Sequence, residues 1–251
     1  MIEKSVAFLR ENLHGQGTVY VGMSGGKDSI VTAQLMALSG LPYQLYHSFT
    51  GIDPPEVVRF IRRHYPECVF VRPKQSFWQL ITTKNPPANF SRWCCTELKK
   101  RPGWKIPIYH RVMGIRAEES SARKNYSPVN AFPATKSGCP KHTQVYPLID
   151  WNEADVWGFI EDQKLAYPKL YDEGFSRLGC VVCPYHSTKN GRGHDEYRKR
   201  WPKYFELFEK QCKAWFEKRI NQGRKMYFNT SEEFIQEWYV GNVQWYKRKK
   251  E

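Results

Sequence analysis

The chain has 251 residues, of which 41% are hydrophobic and 15% aromatic, enough for one large domain with a full core. Its 39 Lys and Arg against 25 Asp and Glu give a formal net charge of +14. We find no repeat, no low-complexity tract, no signal peptide and no apolar run of transmembrane length, so we expect a cytoplasmic protein that does not act on membranes.

The first predicted elements are a strand over residues 19–21 and a helix over residues 30–38, joined by a glycine-rich turn. Adjacent glycines let the backbone approach an anion, and the first N–H groups of a helix point at it. A lysine adds a cation, hydroxyls add donors, and a carboxylate suits Mg²⁺. The turn therefore predicts a phosphate site formed by Ser24, Gly25, Gly26, Lys27, Asp28 and Ser29.

This turn is neither a Walker A loop nor a dinucleotide-binding fingerprint. A Walker A loop needs glycine where Val21 stands and Ser or Thr where Asp28 stands. A tight turn without a ligand is the alternative interpretation.

Further apolar runs at 44–49, 68–71 and 108–115 alternate with helical patterns at 57–64 and 153–160. This alternation predicts βαβ units and a mainly parallel sheet, whose ligands bind at the carboxyl ends of the strands.

Four cysteines occur in two close pairs, Cys94 with Cys95 and, far downstream, Cys180 with Cys183. Cytosolic thiols stay reduced, so such pairs indicate a metal site. Four thiolates suit structural zinc or a [4Fe–4S] cluster. Because zinc sites favour pairs spaced by two to four residues, the vicinal pair favours the cluster. Zinc, or four buried apolar cysteines, are the alternatives.

After Tyr185 the pattern becomes helical. Aromatic residues recur at helical spacing between residues 197 and 220, and Thr230 begins a predicted capping box before a short second helix. We expect the aromatic stripe to form core, and Cys212, which lies on it, to be a buried thiol.

Taken together, the glycine-rich turn and the paired cysteines resemble the phosphoadenosine/adenosine phosphosulfate reductase family and its relatives, the PP-loop ATP pyrophosphatases of DNA phosphorothioation (DndC-like and SspD-like proteins). Other resembling segments are Thr50-Gly51 with Glu56, the run from Cys94 to Lys99 with Pro102, the run from Gly114 to Ser120 with Arg123, and the run from Tyr146 to Cys180. One departure is Phe49, where the family usually has Asp.

The resemblance implies a Rossmann-like adenine nucleotide α-hydrolase domain over residues 1–190, carrying the four-cysteine site, and a helical C-terminal cap over residues 191–251. It implies ATP and Mg²⁺ as ligands, with Lys27, Asp28 and Arg116 as catalytic residues. Thr50, Gly51 and Gly114 would join the phosphate-binding turn in holding the nucleotide.

The reductases of this family carry a nucleophilic cysteine in a Glu-Cys-Gly-x-His motif, and residues 1–251 contain no such motif. We therefore expect an ATP pyrophosphatase that adenylates an acceptor for sulfur transfer. The expected acceptor is a DNA backbone phosphate, and the expected sulfur donor is a cysteine desulfurase. The alternatives are a sulfonucleotide reductase that uses another thiol, and a nucleotide- and DNA-binding scaffold without activity.

The excess of positive charge, with interleaved aromatic residues, favours a nucleic-acid partner. We expect the contacts on the basic tail, residues 247–250, and on the basic helix between Arg198 and Arg219. A charged surface that binds only nucleotide is the alternative. Cys139, in a predicted loop outside the four-thiol set, is either an inert thiol or a nucleophile or persulfide carrier.

Overall fold

The computed structural model describes residues 1–186 and 194–243, so the basic tail at 247–250 lies outside the described residues. The chain forms two compact units. The first consists of Met1–Phe49, Pro55–Arg72 and Lys100–Leu178, and the second of Thr50–Pro54, Pro73–Lys99 and Gly179–Glu251. No helix among the described residues has the length and apolar character needed to cross a membrane.

The first unit contains a six-stranded sheet in the order β3-β2-β1-β4-β6-β5. Its strands are β1 (Val19–Gly22), β2 (Tyr43–Ser48), β3 (Val69–Val71), β4 (His110–Val112), β5 (Val129–Phe132) and β6 (His142–Val145). All neighbours pair in parallel except β5, which runs antiparallel to β6. The predicted α/β fold with a mainly parallel sheet is thus confirmed.

The helices are α1 (Ile2–Leu13), α2 (Lys27–Ser39), α3 (Pro55–His64), α4 (Phe77–Thr83), α5 (Arg101–Trp104), α6 (Glu153–Asp162), α7 (Asp195–Arg200), α8 (Pro202–Asn221) and α9 (Ser231–Val240). In the first unit, α2 buries Ile30, Val31 and Leu35 completely. The central strand β1 is buried as well, which fixes the turn that leads from β1 into α2.

The second unit is built around aromatic side chains of α8 and α9. Phe205, Phe208 and Trp215 are fully buried, as is Cys212, so the aromatic stripe is core. The indole of Trp215 donates to the Lys84 carbonyl at 3.1 Å, which ties α8 to the segment after α4. Pro202, which cannot continue a helix from the preceding turn, separates α7 from α8.

The two units divide the chain differently from the predicted boundary at residue 190. Residues 73–99, which carry Cys94 and Cys95, belong to the unit of the C-terminal helices because the aromatic core of α8 and α9 packs on them.

Candidate functional site

The turn between β1 and α2 has a backbone that only glycine can form at one position. Gly25 has φ +77°, and a Cβ there would lie 2.5 Å from Val57 Cγ1 on α3. Gly26 is the N-cap of α2, and its carbonyl accepts from the Ser29 amide at 3.0 Å and the Ser29 hydroxyl at 2.8 Å. The Ser24 hydroxyl donates to Ser29 Oγ at 3.1 Å. The predicted loop is therefore a closed, internally bonded turn at a helix N-terminus.

One loop amide has a side-chain partner from far along the chain. The Lys27 N–H donates to the Tyr171 hydroxyl at 2.9 Å. Burial raises the pKa of Tyr171, so the hydroxyl stays neutral. An anion that took this amide would have to displace the tyrosine oxygen, which now occupies the place of an anion oxygen.

The Lys27 ammonium is buried and paired. The residue is 5% exposed, and its Nζ lies 3.1 Å from the Ser176 carbonyl and 3.3 Å from Glu153 Oε1. The positive charge of this side chain is thus paired with one backbone carbonyl and one partly exposed carboxylate. That charge is available to an anion that competes with Glu153.

Asp28 is held by an arginine on the opposite side of the turn. Arg116 Nε donates to Asp28 Oδ1 at 2.6 Å, and its Nη1 contacts the Glu118 carboxylate. Burial opposes the charge of Arg116, but both carboxylates outweigh it and raise the pKa of Arg116. A Cβ on Gly114 would lie 2.7 Å from the Asp28 carbonyl, so a glycine here lets the Arg116 segment approach α2.

Two further arginines lie near this pair. Burial lowers the pKa of Arg123, and the nearby charge of Arg177 lowers it further. Arg123 also contacts the Glu119 carboxylate. Like charges held this close are stabilised by an anion between them, so the surroundings of Asp28 combine an acidic group for a cation with arginines for phosphates.

The four predicted metal-ligating cysteines all belong to the second unit. Within the described part of the chain, Cys94, Cys95, Cys180 and Cys183 form no disulfide, and all are partly buried. A hydrogen bond with Cys95 is the main cause that raises the pKa of Cys94, followed by burial and by the proximity of Cys95, Cys180 and Cys183. The fold thus brings the two sequence pairs together.

The segment that carries the first pair is a π-helix, Cys95–Lys100, which is an uncommon geometry often found at functional sites. This segment places Lys99 beside Cys180. The charge of the Cys180 thiolate is the main cause that raises the pKa of Lys99. The second pair is fixed by backbone bonds, since the Val181 amide donates to the Ile52 carbonyl at 2.8 Å. His194 Nε2 lies 3.0 Å from the Cys183 carbonyl.

Thr50 and Gly51, predicted to contact the nucleotide, lie in the cysteine-bearing unit. The Thr50 hydroxyl is 3.9 Å from Cys180 Sγ, and its amide donates to Asp53 Oδ2 at 2.8 Å. Gly51 has φ +76°, a left-handed conformation that turns the chain between Thr50 and Asp53. Their predicted contact with a nucleotide stays a prediction.

The donor chemistry of the four thiols fits an iron–sulfur cluster. A [4Fe–4S] cluster takes four cysteine thiolates, one on each iron. Over residues 1–186 and 194–243, no group of three or more His, Cys, Asp or Glu side chains is arranged to hold a metal ion. The cluster therefore stays a prediction, based on the number of thiols and on the proximity of the two pairs.

The other thiols lie outside this set. Cys68 and Cys212 are buried, and burial raises the pKa of both. Cys139 belongs to the first unit, where its Sγ lies 3.7 Å from the Pro140 carbonyl and 3.9 Å from His142 Nδ1.

Sequence reasoning missed Tyr171 and Glu153 at the loop and Asp53 beside Thr50. Tyr171 and Lys27 are 144 residues apart, so no spacing in the sequence connects them. The only available signal for Tyr171 was its position within the resembling segment that leads to Cys180.

Comparison with known proteins identifies the family. The model of the phosphoadenosine phosphosulfate reductase domain matches residues 18–186. An uncharacterized protein of Methanocaldococcus jannaschii is 29% identical over 211 residues, which are 80% of this chain and 42% of that protein. The chain spans about two fifths of the length of this relative and of a second one from the same organism.

The adenosine 5′-phosphosulfate reductase of Allochromatium vinosum is 24% identical, covering 73% of each chain. The crystal structure of the phosphoadenylyl-sulfate reductase from Candida auris superposes with a TM-score of 0.55 at 18% identity, over 70% of this chain and 88% of that one, which shows a shared fold. The chain belongs to the phosphoadenosine phosphosulfate reductase domain family.

Proposed function

We propose that this protein is an ATP pyrophosphatase of sulfur transfer, in which ATP binds at the turn between β1 and α2. The observation that carries the proposal is the loop itself. It combines a helix N-terminus, the buried Lys27 ammonium and an Asp28 carboxylate oriented by Arg116. This set of groups suits a triphosphate with its Mg²⁺.

The proposed reaction has two steps. An acceptor oxygen attacks the α-phosphorus of ATP and forms a bond to it, while the bond from that phosphorus to the bridging oxygen breaks and pyrophosphate leaves. A hydrosulfide then attacks the acceptor atom, and AMP leaves with the original oxygen. Lys27 and the loop amides would stabilise the charge that develops on the pyrophosphate, and Asp28 would hold Mg²⁺, which when bound would neutralise phosphate charge.

We propose a nucleic acid, in particular a DNA backbone phosphate, as the acceptor, as in the DndC-like and SspD-like proteins that the sequence resembles. The net charge of +14 supports a polyanionic acceptor. A cysteine desulfurase, with a thiol that releases its persulfide sulfur as hydrosulfide, would be the source of sulfur.

We further propose that Cys94, Cys95, Cys180 and Cys183 hold a [4Fe–4S] cluster. When bound, such a cluster supplies a redox centre or a site that handles sulfur. Lys99 and Thr50 would face its sulfurs, because both already hydrogen-bond Cys180.

The products of ATP turnover test this proposal. Anaerobically purified protein with Mg²⁺, ATP labelled at the α-phosphate, hydrosulfide and DNA should form AMP and pyrophosphate in equal amounts. Formation of ADP and phosphate instead would contradict cleavage between the α and β phosphates.

The second candidate function is adenylyl-sulfate reduction, which the similarity to the reductase of Allochromatium vinosum favours. It predicts sulfite release from adenylyl sulfate in the presence of a thiol reductant. Sulfite release without pyrophosphate release from ATP would replace the first proposal by this one.

A further inference from the structure

Four side chains form a row at the edge of the sheet, where β3 is the outermost strand. The Arg62 guanidinium lies over the Phe70 ring, 5.3 Å from its centroid, and the Arg72 guanidinium lies over Phe49 at 4.8 Å. The two rings are 6.5 Å apart. We call Arg62, Phe70, Phe49 and Arg72 the arginine–phenylalanine row.

The rings are half-buried and both arginines are exposed. A guanidinium that rests on an aromatic ring is held by a cation–π contact and has already lost much of its side-chain freedom. Its outer face stays open to solvent, so a second flat group can stack there at a reduced entropic cost. Unpaired nucleic-acid bases stack on guanidinium planes in this way.

The row lies in a basic part of the surface. The last turn of α3 carries Arg62, Arg63 and His64. Between Pro55 and Arg72 the chain has four arginines, at 59, 62, 63 and 72, against two glutamates, and one of these glutamates pairs with Arg59 at 3.9 Å. A polyanion is therefore attracted to this edge.

We propose that the arginine–phenylalanine row binds a single-stranded segment of nucleic acid, with bases stacked on Arg62 and Arg72 and phosphates paired with neighbouring arginines such as Arg63. This inference rests on the proposed nucleic-acid acceptor and names the surface that receives it. Bases of an intact duplex are stacked on one another, so a duplex can use only the phosphate contacts. The surface therefore favours an unpaired strand.

The test compares two neighbouring arginines of equal charge. Binding of fluorescently labelled oligodeoxythymidine to the full chain is measured by anisotropy over a series of salt concentrations, for the parent, Arg62→Ala, Arg63→Ala and Arg62→Lys. Each positive charge removed from the surface that contacts the strand lowers the slope of log affinity against log salt by about 0.7 for single strands, whether that charge stacks on a base or pairs with a phosphate. Both alanine variants should show this loss, and Arg62→Lys should not.

The stacking contribution appears when affinities are extrapolated to about 1 M salt, where the counterion contribution vanishes. There, Arg62→Ala and Arg62→Lys should bind about tenfold more weakly than the parent, because each loses one base stack. Arg63→Ala should equal the parent. Equal affinities of all four proteins at that salt, or duplex binding as strong as single-strand binding, would overturn the proposal.

Calorimetric binding of ATP without nucleic acid separates this proposal from the proposed function. It should be unchanged in all three variants, since the row is not part of the loop between β1 and α2. A parent that binds ATP but not oligodeoxythymidine overturns the surface alone. A parent that binds oligodeoxythymidine with the expected variant pattern, yet releases no pyrophosphate, supports the surface and refutes the pyrophosphatase.

Discussion

Replacing Tyr171 with Phe removes one hydroxyl from the phosphate-binding turn and leaves the ring in place. In the parent, that hydroxyl accepts the Lys27 N–H at 2.9 Å. A phosphate that binds this amide must first break that hydrogen bond. In the variant only water competes with the phosphate for this amide. The free energy of ATP binding therefore no longer includes the cost of breaking the hydrogen bond to Tyr171.

The magnitude follows from a single hydrogen bond. A neutral hydrogen bond contributes about 1 kcal/mol net, which is about fivefold in a dissociation constant. We therefore expect Tyr171→Phe to bind ATP about fivefold more tightly than the parent in calorimetric titrations with Mg²⁺. The unliganded variant should be less stable by a similar amount, because the Lys27 amide loses its partner.

Tyr167→Phe is the matched control. Tyr167 and Tyr171 both pack edge-on against Trp157, with ring centroids 5.2 Å and 5.0 Å away. The Tyr167 hydroxyl, however, donates to Asp172 and not to the loop. Its removal should leave ATP affinity unchanged. Weaker ATP binding by Tyr171→Phe would refute the reasoning, since it would mean that the hydroxyl contacts the nucleotide instead of excluding it.

Three further predictions concern the loop, the cysteines and the core. Lys27→Ala and Asp28→Ala should each lower the rate of pyrophosphate release at least about tenfold, which corresponds to roughly 1.4 kcal/mol of transition-state stabilisation. The circular dichroism spectrum should be retained. If either variant releases pyrophosphate at the parent rate, the loop has only a structural role. Anaerobically purified protein should be brown and contain about four irons per chain. The variants Cys94→Ser and Cys183→Ser should lose the iron, and Cys212→Ala should keep it. Protein that contains zinc but no acid-labile sulfide would contradict the cluster. Burial raises the pKa of Tyr146 from 10.0 to about 12, so the folded state holds this proton more tightly than the unfolded state and stability should fall as pH rises from about 10 to about 12. Tyr146→Phe should flatten this part of the profile in urea unfolding, and an unchanged slope would show that another group titrates there.

Much of the first unit could be predicted from hydrophobic runs, and the exceptions have physical causes. The predicted strands at 19–21, 44–49 and 68–71 correspond to β1, β2 and β3. β1 is buried, burial alternates in β2, and β3 is a short run of the β-formers Val and Phe. β6 was missed because its residues are polar. His142 and Gln144 bond to each other, and Tyr146 donates to Gln144, so the strand satisfies its polar groups internally.

Site residues that are close together in the sequence were predictable, and their contacts with residues far along the chain were not. Gly25 and Gly26 identify the turn from their own conformational requirements. The partners that decide the state of the loop are distant in sequence, since Arg116 is 88 residues from Asp28. A resemblance to a family can suggest such a pair, but only the fold shows that the Asp28 carboxylate is bonded to Arg116.

Phe49, which stands where the resembling proteins usually have Asp, affects the charge at the sheet edge. Where the resembling proteins usually have Asp, this chain has a ring that packs tilted against Phe70 and carries Arg72 on its face. An aspartate at the same place would pair with Arg72 and neutralise it, which would remove a cation from the sheet edge. Phenylalanine instead orients the guanidinium and brings no negative charge to it. If the arginine–phenylalanine row binds a nucleic acid as proposed, Phe49→Asp should weaken oligodeoxythymidine binding in the same assay that tests Arg62.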